Sequence, residues 1–116
     1  MGMNQHTSHT TFIALDRALD MVRTIRPLAE KLAKFDSGLH KQLRAAASSV
    51  PLNLAEGQRR QKRDRLHHYR IAAGSADETR VCLKVAEAWG YLQQDELTTV
   101  LDLLDQIVAI CWRLTH

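Results

Sequence analysis

Apolar residues recur at intervals of three and four along most of the chain, the spacing of one face of an α-helix. Nowhere do they alternate with the period of two that a half-buried strand requires. A first helix is expected from about Thr11 to Phe35, with Leu15, Leu19, Val22, Ile25, Ala29 and Leu32 on its buried stripe. Thr10 or Thr11 supplies its N-cap, and Pro27 predicts a kink or a missing backbone hydrogen bond. Asp36-Ser37-Gly38 breaks the pattern and opens a second helix, which bends at Pro51 and runs to about Glu56. Gly57 is then the small residue favoured just beyond a helix C-terminus. A third helix is expected from near Gln61 to about Gly90, with Leu66, Tyr69, Ala73, Ala76, Leu83 and Ala86 as its stripe. Asp95 caps a fourth, whose stripe is Leu97, Leu101, Leu104, Val108 and Cys111.

Short breaks between four amphipathic helices predict an all-α, up-down-up-down, left-handed four-helix bundle over residues 11–116, behind a flexible tail over 1–10. Two tracts of small residues, Ala45-Ala46-Ala47-Ser48-Ser49 and Ala72-Ala73-Gly74-Ser75-Ala76, face each other if the second and third helices form an antiparallel hairpin. Small side chains let helix axes approach closely, and a mid-helix glycine such as Gly74 implies a packing reason for its cost of about 1 kcal/mol. Polar residues Arg44, Asn53, Glu56, Ser75 and Glu78 fall where that interior should lie. With a turn near residue 60, Arg44 comes level with Glu78, so an internal ion pair that fixes register is expected, with a ligand-binding or catalytic carboxylate as the alternative.

A length of 116 residues fits one domain with one core, and 45% hydrophobic with 25% charged residues is ordinary for a globular protein. No apolar run approaches the roughly eighteen residues of a membrane span. The polar N-terminus lacks the apolar core of a signal peptide, and His6 stands where a myristoylation motif needs Ser or Thr. Cys82 and Cys111 form no CxxC motif, so both are expected to be reduced, buried, apolar residues of a cytoplasmic protein.

Charge is uneven. Arg59, Arg60, Lys62, Arg63, Arg65 and Arg70 share one short segment with a single acid, Asp64, giving it +5, while the remainder carries ten basic and twelve acidic residues. Arginine grips phosphate through two parallel hydrogen bonds, and a helix N-terminus adds free amide donors. Tyr69 is the only aromatic close by, so contact with the backbone of RNA or DNA, without base stacking or sequence readout, is the binding mode implied. The alternative is a solvated turn kept basic for solubility. No metal site or cofactor is expected: there is no paired Glu-x-x-His, and Asp64 with His67 or His68 offers ligands from one helical turn only. Nor is there a nucleophile motif or a Gly-rich phosphate loop, so an enzyme is not expected. His6 and His9 fall in the tail, and His116 ends the chain.

A second apolar stripe runs along the third helix through Val81, Val85, Ala88 and Leu92, and Leu103, Ile110 and Trp112 lie off the main stripe of the fourth. A helix that is apolar on two sides usually meets another subunit, so Val81, Val85, Leu92 and Ile110 are expected at a homo-oligomer interface.

The run Gln42-Leu43-Arg44-Ala45-Ala46-Ala47-Ser48-Ser49-Val50-Pro51-Leu52-Asn53-Leu54-Ala55-Glu56-Gly57 resembles the motif of the four-helix proteins encoded in 23S ribosomal RNA intervening sequences. Tyr69 to Glu78 is similar to that family's second motif, and Trp89-Gly90-Tyr91-Leu92 to the end of its third helix. The resemblance covers about residues 12 to 114, with Val50 and Leu54 where isoleucine is common and a shorter first loop around Phe35-Asp36. It implies a cytosolic bundle assembled into a ring, usually a pentamer. Related bundles are accessory subunits of diversity-generating retroelements, whose basic rings contact nucleic acid and a reverse transcriptase. Arg44, Asn53, Glu56, Gly57, Gly74, Ser75 and Glu78 match characteristic family positions, to which the resemblance assigns a structural rather than a catalytic role. A nucleic-acid-processing protein joins RNA and DNA as the partner implied.

Overall fold

The computed structural model describes the backbone of residues 2–116 and the side chains of Thr10 and of residues 12–116. The expected tail over 1–10, with His6 and His9, therefore falls almost wholly outside the described side chains. The elements are α1 (Gly2–Ala33), α2 (Ser37–Arg59), α3 (Lys62–Ala88) and α4 (Thr98–Thr115), with a 3-10 turn at Gln94–Leu97. No strand occurs among the described residues. Each helix packs on the next in sequence and α1 packs on α4, so the four surround one core. Among the described residues, no helix is long and apolar enough to cross a membrane.

The buried stripe of α1 is Ala14, Ala18, Met21, Ile25, Leu28, Ala29 and Leu32, one residue out of step with the expected one over its first half. Leu15 and Val22 are half-buried and Leu19 is exposed, because small alanines take the inward positions and larger side chains flank them. Thr10, expected as a cap, lies inside the helix. In α3, Ala72, Thr79 and Cys82 join Tyr69, Ala76, Leu83 and Ala86 inside, while Leu66 and Ala73 are half-buried. In α4, Val100, Ile107 and Ile110 join Leu97, Leu104 and Cys111, while Leu101 and Val108 sit at the edge. Each large apolar side chain so buried contributes on the order of 1.5–3 kcal/mol. Two expected interface residues are in fact core: Leu92 is 1% exposed and Ile110 is 7% exposed, so neither has surface to offer a partner. Cys82 and Cys111 are free and buried. Burial pushes the Cys111 thiol up to about 11 and raises that of Cys82, which also feels Glu78, so both stay neutral.

The α2–α3 seam is tightly packed at Gly57. A Cβ added at Gly57 would lie 2.6 Å and 2.8 Å from ring carbons of the buried Tyr69 and 3.2 Å from Cβ of His68. Gly57 is thus not a terminator: it sits inside α2, which continues to Arg59, and it is small because Tyr69 occupies the space. Beside it, the Ser75 hydroxyl donates to Ser49 Oγ at 2.7 Å, and Asn53 Nδ2 donates to Ser49 Oγ and to its carbonyl. His68 Nδ1 donates to Asn53 Oδ1 at 3.0 Å, and the buried Thr79 hydroxyl donates to the Ser75 carbonyl. Ser49 meets Ser75, while Gly57, nearer the end of α2, meets His68 and Tyr69, nearer the start of α3, which is the register of an antiparallel pair.

The expected Arg44–Glu78 ion pair does not form. Both side chains are exposed, Arg44 on the flank of α2 that faces α1. Arg44 follows the seam residue Ser49 backward by five positions, a rotation of about 140° away from α3. Gly74 is also exposed, and a Cβ there would meet nothing within 4 Å, so no contact among the described residues accounts for it.

At the opposite end from the α2–α3 turn, Asp36 caps α2 by accepting from the Leu39 amide. Asp95 is not the cap expected of it. Gln93 and Glu96 form a capping box on the 3-10 turn, and Glu96 also takes a 2.8 Å salt bridge from Lys31 of α1. Gly90 reverses the chain after α3 at φ +82°, which favours glycine, and lets the Tyr91 and Leu92 amides reach the Ala86 carbonyl. Phe35 and Tyr91 stack at 5.3 Å, tying the two connections at this end together.

Gly57→Ala is expected to destabilise the protein by about 1–2 kcal/mol: forcing the Tyr69 ring aside costs about 1–3 kcal/mol, partly offset by the better helix propensity of alanine. Urea unfolding followed by circular dichroism reads this directly, and a Gly57→Ala protein as stable as the parent would contradict the seam geometry.

Candidate nucleic-acid interface

The α2–α3 turn is built from charged residues because neither helix end can be buried there. Beyond Arg59, Arg60 turns extended while its amide still reaches the Gly57 carbonyl at 3.1 Å. Gln61 precedes α3 in an extended conformation and gives no side-chain cap, which leaves the helix N-terminus available to anions. Lys62 then adopts φ 53°, a left-handed conformation that costs a residue with a Cβ about 1–2 kcal/mol.

The six cations separate into two groups. Arg59 Nη2 and Arg60 Nε donate to the two oxygens of Glu56 at 2.9 Å and 3.0 Å, and Arg60 Nη1 lies 3.9 Å from Asp64. Arg65 Nε donates across the turn to the Arg60 carbonyl at 2.9 Å. Lys62, Arg63 and Arg70, all exposed, have no acidic partner among the described residues. Arg63 and Arg70 are seven positions apart on α3 and share one outward face, about 10 Å from each other along the axis. Tyr69 is buried under Gly57, so the nearest aromatic ring presents no stacking surface.

Glu56 is the residue that counting charge over 59–70 leaves out. Its position three and four residues before Arg59 and Arg60 is the helical signature of such pairs. Including it, the turn holds six cations against two acids. The hydrogen bond from Arg59, then that from Arg60, holds the Glu56 carboxyl below its ordinary value of 4.5, against a smaller opposing effect of desolvation. Its chemistry is that of an ionised brace that aims two guanidinium groups, the reverse of what a proton donor at neutral pH requires. Asn53 and Ser75 belong to the seam, Gly57 seats the ring beneath the turn, and Arg44, Gly74 and Glu78 lie away from it. Val81 and Val85 are exposed, at 58% and 37%. Among the described residues no group of three or more His, Cys, Asp or Glu is placed to hold a metal ion.

Because its folded-state value is lowered, Glu56 adds stability above its ordinary value, and this is lost as pH falls through the lower, folded value. Glu56→Gln is therefore expected to lose some stability at pH 7 and to show a shallower further loss on acidification to about pH 3 than the parent. Urea melts of both proteins across that range decide it; identical acid limbs would mean Glu56 is not held by the two arginines.

A solved structure described as a protein of unknown function from the S23 ribosomal protein family of Bacteroides thetaiotaomicron VPI-5482 is similar to this chain, with a TM-score of 0.80. The match covers 88% of this chain and 97% of that one at 21% sequence identity, so what is shared is the fold. No curated protein matches. The family model for the 23S rRNA-intervening sequence protein matches residues 10–113, which takes in the seam, the basic turn and nearly all of the bundle. The chain belongs to the 23S rRNA-intervening sequence protein family.

Proposed function

We propose that this protein is a non-enzymatic, up-down-up-down, left-handed bundle that assembles into a closed homo-oligomeric ring, of five subunits, and binds nucleic acid without sequence preference through the α2–α3 turn. The observation that carries the reading is the trio of exposed cations, Lys62, Arg63 and Arg70, which have no acidic partner among the described residues and lie beside a helix N-terminus with no side-chain cap. Two further arginines are pre-oriented by Glu56, so less side-chain freedom is lost when a phosphate replaces water. A ring repeats the turn once per subunit, so modest contacts sum over one polyanion. Two buried neutral thiols suit a reducing cytoplasm. A scaffold without affinity for polyanions is the second reading, favoured by the exposed apolar side chains Val81, Val85 and Trp89. A nucleic-acid-processing protein is the kind of partner either form would serve.

A salt titration with mixed-sequence duplex DNA and RNA separates the two. The binding constant should fall with salt at a slope of about −0.9 per phosphate neutralised on duplex DNA, with little dependence on sequence. Lys62→Gly, Arg63→Gln and Arg70→Gln together should flatten that slope and leave unfolding intact or improved, since glycine relieves the left-handed position. No binding by the parent protein at roughly 50 mM salt would overturn the reading in favour of the scaffold.

A further inference from the structure

Two surfaces of the subunit are left unpartnered, and they complement each other. Between α1 and α2 lies a half-open groove of about 430 Å³ with an apolar floor that includes Ile25, Ala29 and Ala47. Its lining also carries three arginines, Arg23, Arg26 and Arg44, against one acid, Glu30, with His40 beside them. Arg23 and Arg26 pair with Asp20 and Glu30 of their own helix, whereas Arg44 has no acidic partner among the described residues. On α3, the outward face is a ridge in which Glu78, Val81 and Val85 follow one another at helical spacing. Glu78 and its neighbour Asp77 are exposed and have no ion-pair partner among the described residues. Gly74 continues the same face, and no contact among the described residues explains its lack of a side chain.

The two surfaces also stand at one height. The Ser49–Ser75 hydrogen bond fixes the level of α2 against α3. Arg44 lies five residues to one side of that bond and Glu78 three residues to the same side, so their levels differ by about 3 Å. Val81 is likewise level with Leu43, within the stretch of α2 that borders the groove. Rotation about an axis parallel to the helices carries one copy to the next without changing height. An acidic and apolar ridge on one copy therefore arrives opposite the basic and apolar groove of its neighbour.

We infer that the Glu78–Val81–Val85 ridge of one copy seats in the α1–α2 groove of the next, with Glu78 pairing to Arg44 across the interface; this rests on the assembly proposed above. The contact is heterologous, head to tail, and so it generates a ring when the rotation closes. It gives the two charged residues that do not meet inside the bundle a common role, and it gives Gly74 a neighbour whose backbone can come close.

The test is sedimentation velocity over a concentration series for the parent, Arg44→Glu, Glu78→Arg and the double variant. Both residues are exposed, so circular dichroism should show unchanged helix content in all four. Each single reversal puts like charges face to face and should raise the concentration of half-assembly by about tenfold or more. The double variant restores opposite charges and should return most of the loss. Single variants that assemble like the parent, or a double no better than either single, would overturn this interface while leaving assembly itself standing. A parent protein that is monomeric at its highest soluble concentration would overturn both.

Discussion

The bundle depends on how closely α2 can approach α3. Gly57 gives up its side chain so that the Tyr69 ring can lie against the α2 backbone, and the adjoining levels are filled by serines, alanines and one Asn–His hydrogen bond rather than by large apolar groups. Polar atoms held between two packed helices need partners, and here the hydroxyls and amide satisfy one another. They do so in one register only. A slide of one residue would turn Ser49, Asn53 and Gly57 away from Ser75, His68 and Tyr69 by about 100° and leave the ring without a seat.

That register determines what the turn above it presents. With Tyr69 fixed beneath Gly57, α2 can extend only two residues further before the chain must reverse, and the reversal is filled by cations. Glu56, one residue before the seated glycine, holds Arg59 and Arg60 and thereby keeps their charge on the side of α2. Lys62, Arg63 and Arg70 are left exposed without an acidic partner among the described residues. Structural and functional readings of the turn are in this sense one arrangement: the polar seam sets the geometry that sorts braced from free cations.

Much of this was legible in the sequence. The three-and-four spacing placed the ends of α2, α3 and α4 to within a few residues, because long amphipathic patterns leave little choice of element, whereas α1 begins at Gly2, nine residues before the expected Thr11. The phase along α1 was misread, since leucine at 15 and 19 outranks alanine at 14 and 18 on hydrophobicity alone, whereas close helix approach selects the smaller residue. The level of Arg44 against Glu78 was right but the face was wrong: height follows from counting residues from the turn, while direction depends on where a third helix, α1, lies. Leu92 and Ile110 look like surface on a helical wheel, yet Leu92 folds back after Gly90 and Ile110 turns inward on α4. The brace formed by Glu56 is visible as spacing, three and four residues before two arginines, although Glu56 lies outside the run of cations itself.

The central claim, that Gly57 is seated against Tyr69, has a direct readout. The chain has five glycines and two tyrosines, so a sample labelled selectively at both residue types gives few, assignable signals. Strong nuclear Overhauser contacts are expected between the Gly57 α-protons and the Tyr69 ring protons, since a carbon on Gly57 would lie within 3 Å of that ring. Their absence in a folded sample, with the Tyr69 ring contacting other residues instead, would contradict the account.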